Sequence, residues 1–338
     1  MGLFSFTQEI AMDLGTANTI IIANGKIVVD EPSVVALDRQ GKVVAIGKKA
    51  QQMSGKTHAN IETIRPLRDG VIADFNAAEQ MIRGMIKMMG NKSRFFSPSL
   101  RIVVCIPSGS TEVELRAVRD SAEHAGGRDV YMLYEPMAAA IGIGIDVEAP
   151  DGNMIVDIGG GTTEIAVISL GGIVSNKSIR IAGDDLTQDI QEYMGRQHNM
   201  RVGERTAEKI KIAVGSALVH LEDPPEDFSV AGPNRMTALP MEVPISYTEI
   251  AHCLDKSISK IEMAVLNALE STPPELYADI VRNGIYLAGG GALLKGLDKR
   301  LQDKINIPFH IAEDPLHAVA KGTGVALKNI EKFNFLIR

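Results

Sequence analysis

The stretch DIGGGTTE, residues 157–164, places three glycines between an aspartate and two threonines. An apolar run, 154–156, precedes it and another, 165–168, follows it, so the pattern predicts two strands joined by a glycine-rich turn. A similar order recurs near the N-terminus, where DLGTANT, residues 13–19, also lies between apolar runs. The two halves of the chain therefore share one strand-turn-strand unit.

Glycine-rich hairpins of this kind suit phosphate binding. Glycine allows close backbone approach, and successive backbone N–H groups in such a turn form a concave anion site. Asp13 and Asp157 follow the first strand of each hairpin, where a carboxylate suits Mg²⁺ held largely through its waters. One hairpin alone is better explained as an ordinary tight turn. Two hairpins, together with a third glycine-rich turn at 289–291, favour a clamp around a triphosphate.

Length and composition limit the possible classes. With 338 residues, 45% of them hydrophobic, the chain predicts two domains. Its net charge of −7 argues against a non-specific nucleic-acid binder. Cys105 and Cys253 are expected to be free thiols in a reducing compartment. No signal peptide and no run of about 18 apolar residues is visible, so we expect a soluble cytoplasmic protein.

Strands alternate with helices along the chain, which predicts an α/β fold. Thr111 and Glu114 have the spacing of a capping box, and Pro136 stands where a helix favours proline. P-loop and dinucleotide-binding glycine motifs are absent. The expected helices lie at about 76–90, 111–125, 136–144, 184–197, 204–219, 248–271 and 315–328.

Four motifs together resemble the nucleotide-site signature of the actin/Hsp70/sugar-kinase superfamily, and within it the MreB family of bacterial actin-like cell-shape proteins. The resemblance covers nearly the whole chain. The motifs are DLGTANT (13–19), EPMAAAIG (135–142), DIGGGTTE (157–164) and LAGGGALLKG (287–296). Further matching segments are DEPSVVAL (30–37), RPLRDGVIADF (65–75), GERTAEKIK (203–211) and AEDPLHAVAKGTG (312–324).

The resemblance implies an α/β, actin-like (ribonuclease H-like) duplicated fold, in which two domains flank a nucleotide cleft and each carries a smaller subdomain. The first domain is expected at 1–145, with its small subdomain at about 33–65. The second is expected at 146–324, with its small subdomain at about 182–242. A C-terminal helix, 325–338, is expected to pack back on the first domain.

The resemblance also implies the ligands, which are ATP, with GTP left open, and Mg²⁺ held through water by Asp13 and Asp157. The remaining expected contacts fall on four parts of the chain. Phosphate contacts are expected from Thr16, Ala17, Asn18, Gly160, Gly161, Thr162 and Thr163, ribose and adenine contacts from Glu208, Lys209 and Lys211, and contacts from the opposite side from Gly290, Gly291 and Ala292.

Hydrolysis of ATP needs a water aligned with the γ-phosphate. Glu135 is the candidate for this role, because it lies where a strand ends and a helix of small residues begins, and Thr162 would help to hold the water. A solvated carboxylate at a helix start is the alternative, but the intact EPMAAAIG motif favours catalysis. Asp69 and Asp74 could also be catalytic or metal-linked, although loop structure and contacts between subunits explain them better.

Two short aromatic segments are candidates for membrane contact. They are the N-terminal tip with Leu3, Phe4 and Phe6, and the loop with Phe95 and Phe96, which Lys92 and Arg94 flank. Phenylalanines in a loop usually fold back on their own domain. Insertion at a lipid interface beside cations is the functional alternative, and the family uses either device, so we expect the two segments to act together.

The resemblance implies head-to-tail filaments in antiparallel pairs. Val113 departs from the buried face of its helix and is the candidate polymer contact, although an ordinary exposed valine fits the sequence equally well. The family partners are the same chain, inner-membrane lipid, RodZ and the cell-wall elongation proteins, with no nucleic acid. We expect a peripheral location on the inner face of the cell membrane.

The sequence therefore predicts a membrane-associated cytoskeletal ATPase of weak turnover that directs cell-wall synthesis and maintains rod shape. A monomeric Hsp70-like or sugar-kinase-like ATPase of the same fold is the alternative. An Hsp70-like chaperone would need a peptide-binding domain, which is not expected within these residues. A sugar kinase would need a general base for an acceptor hydroxyl, and no motif marks one.

Overall fold

The computed structural model describes residues 7–90 and 99–338, which alternate strands and helices as predicted. The strands are β1 (Thr7–Leu14), β2 (Asn18–Ala23), β3 (Lys26–Pro32), β4 (Val35–Asp38), β5 (Val43–Ile46), β6 (Ile61–Ile64), β7 (Leu67–Arg68), β8 (Val71–Ile72), β9 (Ser99–Ile106), β10 (Gly127–Tyr134), β11 (Asn153–Ile158), β12 (Thr163–Ser169), β13 (Gly172–Ile179), β14 (Phe228–Pro233), β15 (Pro240–Ile245), β16 (Ile285–Ala288) and β17 (Phe309–Ile311).

Three of the helices in the described residues begin at a side chain that accepts a first-turn N–H, namely Asp74, Thr111 and Ser246. Thr111 and Glu114 form the predicted capping box at the start of the third helix. The helices are α1 (Lys48–Met53), α2 (Phe75–Met88), α3 (Glu112–His124), α4 (Glu135–Gly142), α5 (Gly183–Gln197), α6 (Glu204–Val214), α7 (Tyr247–Glu270), α8 (Pro274–Asn283), α9 (Leu297–Ile305) and α10 (Ala318–Lys328), with short 3-10 helices at Gly290–Leu293 and Pro315–His317.

Two five-stranded sheets repeat one topology. The first has the order β3-β2-β1-β9-β10 and the second the order β13-β12-β11-β16-β17. In each, the glycine hairpin joins two antiparallel strands, β1 with β2 and β11 with β12. The first strand of each hairpin also pairs in parallel with a later strand, β1 with β9 and β11 with β16. The duplication indicated by the two hairpins is thus a duplication of whole sheets.

Smaller sheets accompany each large one. Strands β5-β4-β6 form a three-stranded sheet within residues 35–64, and β14 pairs with β15 within residues 228–245. The first sheet lies within residues 7–134 and the second within 153–311. The domain boundaries themselves stay a prediction.

Three predictions about local structure were wrong or incomplete. The helix expected at 204–219 ends at Val214, because the chain becomes extended at Gly215 and Ala217 then donates its N–H to the Lys295 carbonyl at 2.8 Å. Helices α8 and α9 were not predicted. The helix expected at 325–338 ends at Lys328, and the chain beyond it returns to pair Ile337 with Met132 of β10.

Helices α4 and α10 lie between the two sheets and share one apolar core with both of them. The helices touch backbone to backbone. A Cβ on Gly142 would overlap the Ala318 carbonyl oxygen, and a Cβ on Gly322 would overlap that of Ala138. Cys105 is a buried free thiol in this core, 2.7 Å from the Thr323 hydroxyl. The two sheets are therefore joined at the floor of the cleft between them.

Candidate nucleotide site

The two glycine hairpins face each other across the cleft. A Cβ on Gly160 would lie 2.8 Å from the Cβ of Ala17, and a Cβ on Gly161 would lie 2.8 Å from the Thr16 hydroxyl oxygen. Any larger residue at either glycine would push the hairpins apart. The structure thus brings Thr16 and Ala17 together with Gly160 and Gly161, which the sequence had predicted to share one site.

The first hairpin is braced by Ser33, a residue that sequence reasoning missed. Its hydroxyl donates to the Gly15 carbonyl at 2.6 Å, and its backbone N–H donates to the Ala17 carbonyl at 2.9 Å. Its hydroxyl also lies 2.9 Å from that of Thr19. Asn18 begins β2 with an exposed side chain at the rim of the hairpin. These contacts of Ser33 therefore hold the turn in shape.

In the second hairpin the two threonines differ. Thr163 is fully buried, and its hydroxyl donates to the Ile181 carbonyl at 2.7 Å, so that hydroxyl supports the sheet. The methyl group of Thr162 packs against Gly70, since a Cβ built on Gly70 would lie 2.8 Å from it. Gly70 in turn donates its N–H to the Thr16 hydroxyl at 3.0 Å.

Asp13 and Asp157 occupy equivalent positions in the two sheets, one residue before the end of β1 and of β11. Burial raises the pKa of Asp13 to about 7, although His317 partly opposes the shift. Burial also raises the pKa of Asp157 to about 7, and the nearby charges of Asp13 and Glu164 add to it. Two carboxyls this reluctant to ionise mark a place where a cation would be stabilised.

Glu135 is the first residue of α4, at the junction with β10. Burial raises the pKa of its carboxyl well above the usual range, and the charge of Glu164 and of the two aspartates raises it further. Glu164 is fully buried and held by three hydrogen bonds. It accepts from the N–H and hydroxyl of Ser108 and, at 2.5 Å, from the Ser178 hydroxyl. Ser108 lies in the loop after β9 of the first sheet, so this contact also joins the two halves of the chain.

The donors fit magnesium better than a directly chelated metal. Within residues 7–90 and 99–338, no three His, Cys, Asp or Glu side chains converge as a metal-binding group. Asp13 and Asp157 are hard oxygen donors, and Mg²⁺ is commonly bound by one or two carboxylates, waters and substrate phosphates. The two aspartates are therefore suited to magnesium that arrives with a nucleotide.

Glu208 and Lys211 lie together at the side of the second hairpin. The Lys211 ammonium lies 2.7 Å from the Glu208 carboxylate and donates to the Gly183 carbonyl at 2.8 Å. The Thr187 hydroxyl joins them, donating to Glu208 at 2.6 Å. Lys209 is exposed on the same helix. The structure thus places two of the three residues predicted near the ribose in one network.

The third glycine-rich turn packs against the second hairpin. A Cβ on Gly289 would overlap the Asp157 carboxylate, and one on Gly291 would overlap the Ile158 side chain. Gly290 is exposed at this turn, and Ala292 is fully buried beneath it. The turn therefore reaches the candidate site next to Asp157.

Asp69 and Asp74, for which the sequence allowed both catalytic and structural roles, have structural roles in the fold. Asp74 caps α2 by accepting the Ala77 N–H at 2.9 Å. Asp69 has a positive φ of 51° in the turn between β7 and β8, and its backbone approaches Gly161.

The remaining predicted residues were assigned to polymer or membrane contacts. Val113 is 79% exposed on α3, which leaves its polymer contact a prediction. In the described part of the chain no helix is both long and apolar enough to span a membrane. Leu3, Phe4, Phe6, Phe95 and Phe96 lie outside the described residues.

Arg65 connects the two sides of the cleft and was not predicted. It lies between β6 and β7, and its guanidinium donates to Glu204 at 2.6 Å and to Asp184 at 2.7 Å. No spacing in the segment RPLRDGVIADF indicates that Arg65 has partners more than a hundred residues away.

Comparison with known proteins extends over nearly the whole chain. The Mbl cell shape-determining protein of Bacillus subtilis is 46% identical over 329 residues, covering 97% of this chain and 98% of that protein. The MreB cell shape-determining protein of Escherichia coli K12 is 47% identical over 332 residues, covering 96% and 95%.

Solved structures show the same architecture. MreB5 of Spiroplasma citri bound to AMPPNP is 38% identical, with a TM-score of 0.90 over 96% of this chain and 97% of that chain. The MamK double helical filament, at 20% identity and a TM-score of 0.79, shares the fold. The model of the MreB/Mbl protein family matches residues 7–335, and the chain is therefore a member of that family with its actin-like two-domain fold.

Proposed function

We propose that this protein is a cytoskeletal ATPase that assembles into filaments and contributes to cell shape. One observation carries the proposal. Two glycine hairpins on equivalent sheets face each other over Asp13, Asp157 and Glu135, all held in one buried acidic cleft. The solved structures of MreB5 of Spiroplasma citri with AMPPNP and with ADP support an adenine nucleotide as the ligand.

Nucleotide binding would use the backbone of both hairpins. The N–H groups around Ala17 and Gly161 would donate to phosphate oxygens, and the hydroxyls of Thr16 and Thr162 would add to them. Glu208 and Lys211 would flank the ribose, and the turn at 290–292 would cover the nucleotide from the opposite side.

Hydrolysis would depend on Glu135. Bound magnesium would neutralise charge on the phosphates and on Asp13 and Asp157. Glu135 would then ionise more readily, since those aspartates contribute to its raised pKa. As a carboxylate it would orient a water and accept its proton, with Thr162 as a second anchor for that water. As the family relation implies, we expect weak turnover.

The proposal also includes filament assembly, membrane binding and a role in cell-wall synthesis. The family relation favours head-to-tail polymers in antiparallel pairs, bound peripherally to the inner face of the cell membrane. RodZ and the cell-wall elongation proteins would be partners there. The aromatic segments at 3–6 and 95–96 would supply the lipid contact, with the cations Lys92 and Arg94 beside the second.

The test combines Mg-ATP, anionic lipid vesicles, a phosphate-release assay and electron microscopy of the pelleted vesicles. Filaments on the lipid together with slow phosphate release are the expected result. A soluble monomer that still hydrolyses ATP would overturn the polymer part and favour a chaperone-like or kinase-like ATPase. Absence of ATP binding would overturn the whole proposal.

A further inference from the structure

Arg65 joins parts of the chain that lie far apart in sequence. It stands in the connection between β6 and β7, on the side of the cleft formed by the first sheet. Its partners, Asp184 and Glu204, lie in the first turns of α5 and α6, on the other side. One planar guanidinium therefore spans the mouth of the cleft with two charge-assisted hydrogen bonds.

The same segment of chain grips the first hairpin. The Arg65 guanidinium lies 3.5 Å from the Thr16 carbonyl oxygen, and Gly70 donates its N–H to the Thr16 hydroxyl at 3.0 Å. Residues 65–70 thus contact Thr16 through both its backbone and its side chain. A movement of this hairpin would therefore change the contacts of Arg65 directly.

The two acceptors of Arg65 belong to helices that border the nucleotide side of the second domain. Asp184 donates its N–H to the Gly160 carbonyl at 2.8 Å, which ties the start of α5 to the second hairpin. Glu204 begins α6, the helix that carries Glu208 and Lys211. Arg65 is thus placed to fix the separation between the first hairpin and the elements around the second.

We propose that Arg65 is a positioning residue that holds the cleft closed over bound nucleotide and so sets how fast the nucleotide leaves. The proposal rests on the nucleotide binding proposed above. The Arg65 side chain is 26% exposed and that of Glu204 60%, so the ion pairs are partly screened by solvent. Their effect is therefore modest and falls with added salt. Opening the cleft would require both pairs to break together.

The experiment follows dissociation of a ribose-labelled fluorescent ATP, chased with excess ATP, from the full chain and its Arg65→Gln variant. We expect the dissociation rate to rise about fivefold, the factor that corresponds to a partly exposed pair, with little change in the association rate. Arg65→Lys should restore part of the loss. Glu204→Gln should raise the rate less, and the double variant should rise by less than the product of the two single effects.

Arg282→Gln is the matched control. Arg282 also contacts two carboxylates, Asp151 and Asp279, but these lie on its own side of the molecule, away from the cleft. The Arg282→Gln variant should release the labelled ATP at the same rate as the wild type. Equal rates for Arg65→Gln and wild type at low salt would overturn the proposal, as would full multiplicativity with Glu204→Gln.

Hydrogen–deuterium exchange without nucleotide separates this proposal from nucleotide binding itself. In Arg65→Gln we expect faster exchange in the first turns of α5 and α6 and in residues 65–70, with the rest of the chain unchanged. If the wild type binds no labelled ATP, the proposed function fails, and the exchange result alone decides whether Arg65 holds the two sides of the cleft together. Faster exchange in Arg65→Gln would support that role, and unchanged exchange would refute it.

Discussion

Asp13 and Asp157 show how a candidate functional site lowers the stability of the folded protein. Each carboxyl is buried at the end of a strand, and burial raises its pKa to about 7. In an unfolded chain the value is about 3.9. Between these pH values the folded protein binds more protons than the unfolded chain. The stability of the ligand-free protein therefore falls as pH rises from about 4 to about 7 on account of these groups, and the deficit persists above pH 7.

Replacing Asp13 by Asn should therefore stabilise the nucleotide-free protein at pH 8 and impair its response to Mg-ATP. The neutral amide removes a charge that is costly to bury. We expect Tm to rise by a few degrees at pH 8 and by less at pH 5, while the further rise with Mg-ATP is lost. Scanning calorimetry at both pH values measures this, with the exposed Asp223→Asn as control. A lower Tm for Asp13→Asn at pH 8 would contradict the account.

Glu135→Gln should keep nucleotide binding and slow phosphate release by about 10²-fold, the lower range for loss of a general base. Gln has nearly the same shape but cannot accept the proton from the attacking water. Filaments should persist longer in ATP, because fewer subunits convert to the ADP state. Glu148→Gln, on the surface in a pair with Lys332, is the control. Unchanged phosphate release in Glu135→Gln would rule out the catalytic role.

At the scale of elements, α4 and α10 decide how the two sheets can move. Helix α4 is almost entirely buried, and it meets α10 where Gly142 and Gly322 leave no room for a side chain. Close backbone contact leaves the helices few alternative arrangements. Since both sheets share this core, a change at the cleft mouth has to be accommodated around this pair.

Gly142→Ala and Gly322→Ala should each destabilise the protein by about 1–3 kcal/mol, because the added methyl forces apart two packed backbones. Thermal unfolding measures the loss. Gly203→Ala is the control, since Gly203 has an ordinary φ of −83° at the start of α6 and open space around its Cβ position. A Tm equal to that of the control would show that the helices can separate at no cost.

The whole molecule presents surfaces that its core does not explain. Helix α3 is capped by its own residues and packs on the first sheet, yet Val113 at its start is 79% exposed. A valine so exposed contributes little to folding. Replacement of Val113 is therefore expected to affect assembly rather than folding.

Val113→Glu should leave Tm unchanged and weaken the pairing of protofilaments, because a charge on an apolar contact must be desolvated when it closes. Electron microscopy should show single rather than paired filaments at unchanged Mg-ATP concentration. Val281→Glu, at an exposed site on α8, tests for a general effect of charge. Paired filaments in Val113→Glu would exclude this residue from the lateral contact.

Replacing Phe95 and Phe96 together by Ser should weaken binding to anionic vesicles and leave polymerisation in solution intact. On the proposed membrane role, the rings would supply apolar area for the lipid interface, and Ser would remove it. Vesicle sedimentation measures the binding, and light scattering measures assembly. A variant lacking residues 2–6 provides the comparison. If the double Ser variant sediments with lipid as the wild type does, the loop is not the anchor.

The sequence by itself determined the duplicated α/β fold and most of its element positions. The two Asp-apolar-Gly motifs predicted the two hairpins, because glycine permits such close turns. Apolar periodicity predicted helices such as α7 and strands such as β9. Local signals also placed the start of α3, because a capping box is written within four residues. These features depend on neighbours in sequence, which is why they can be read there.

Only the tertiary structure decided which distant residues meet. Arg65 with Asp184 and Glu204, Ser33 under the first hairpin, and Ser108 on Glu164 all join segments whose spacing carries no periodic signal. The same reason explains the early end of α6 and the return of the C-terminus to β10. The raised pKa values of Asp13, Asp157 and Glu135 likewise arise from burial, and repulsion by nearby carboxylates adds to those of Asp157 and Glu135. Both exist only once the two sheets have closed on one cleft.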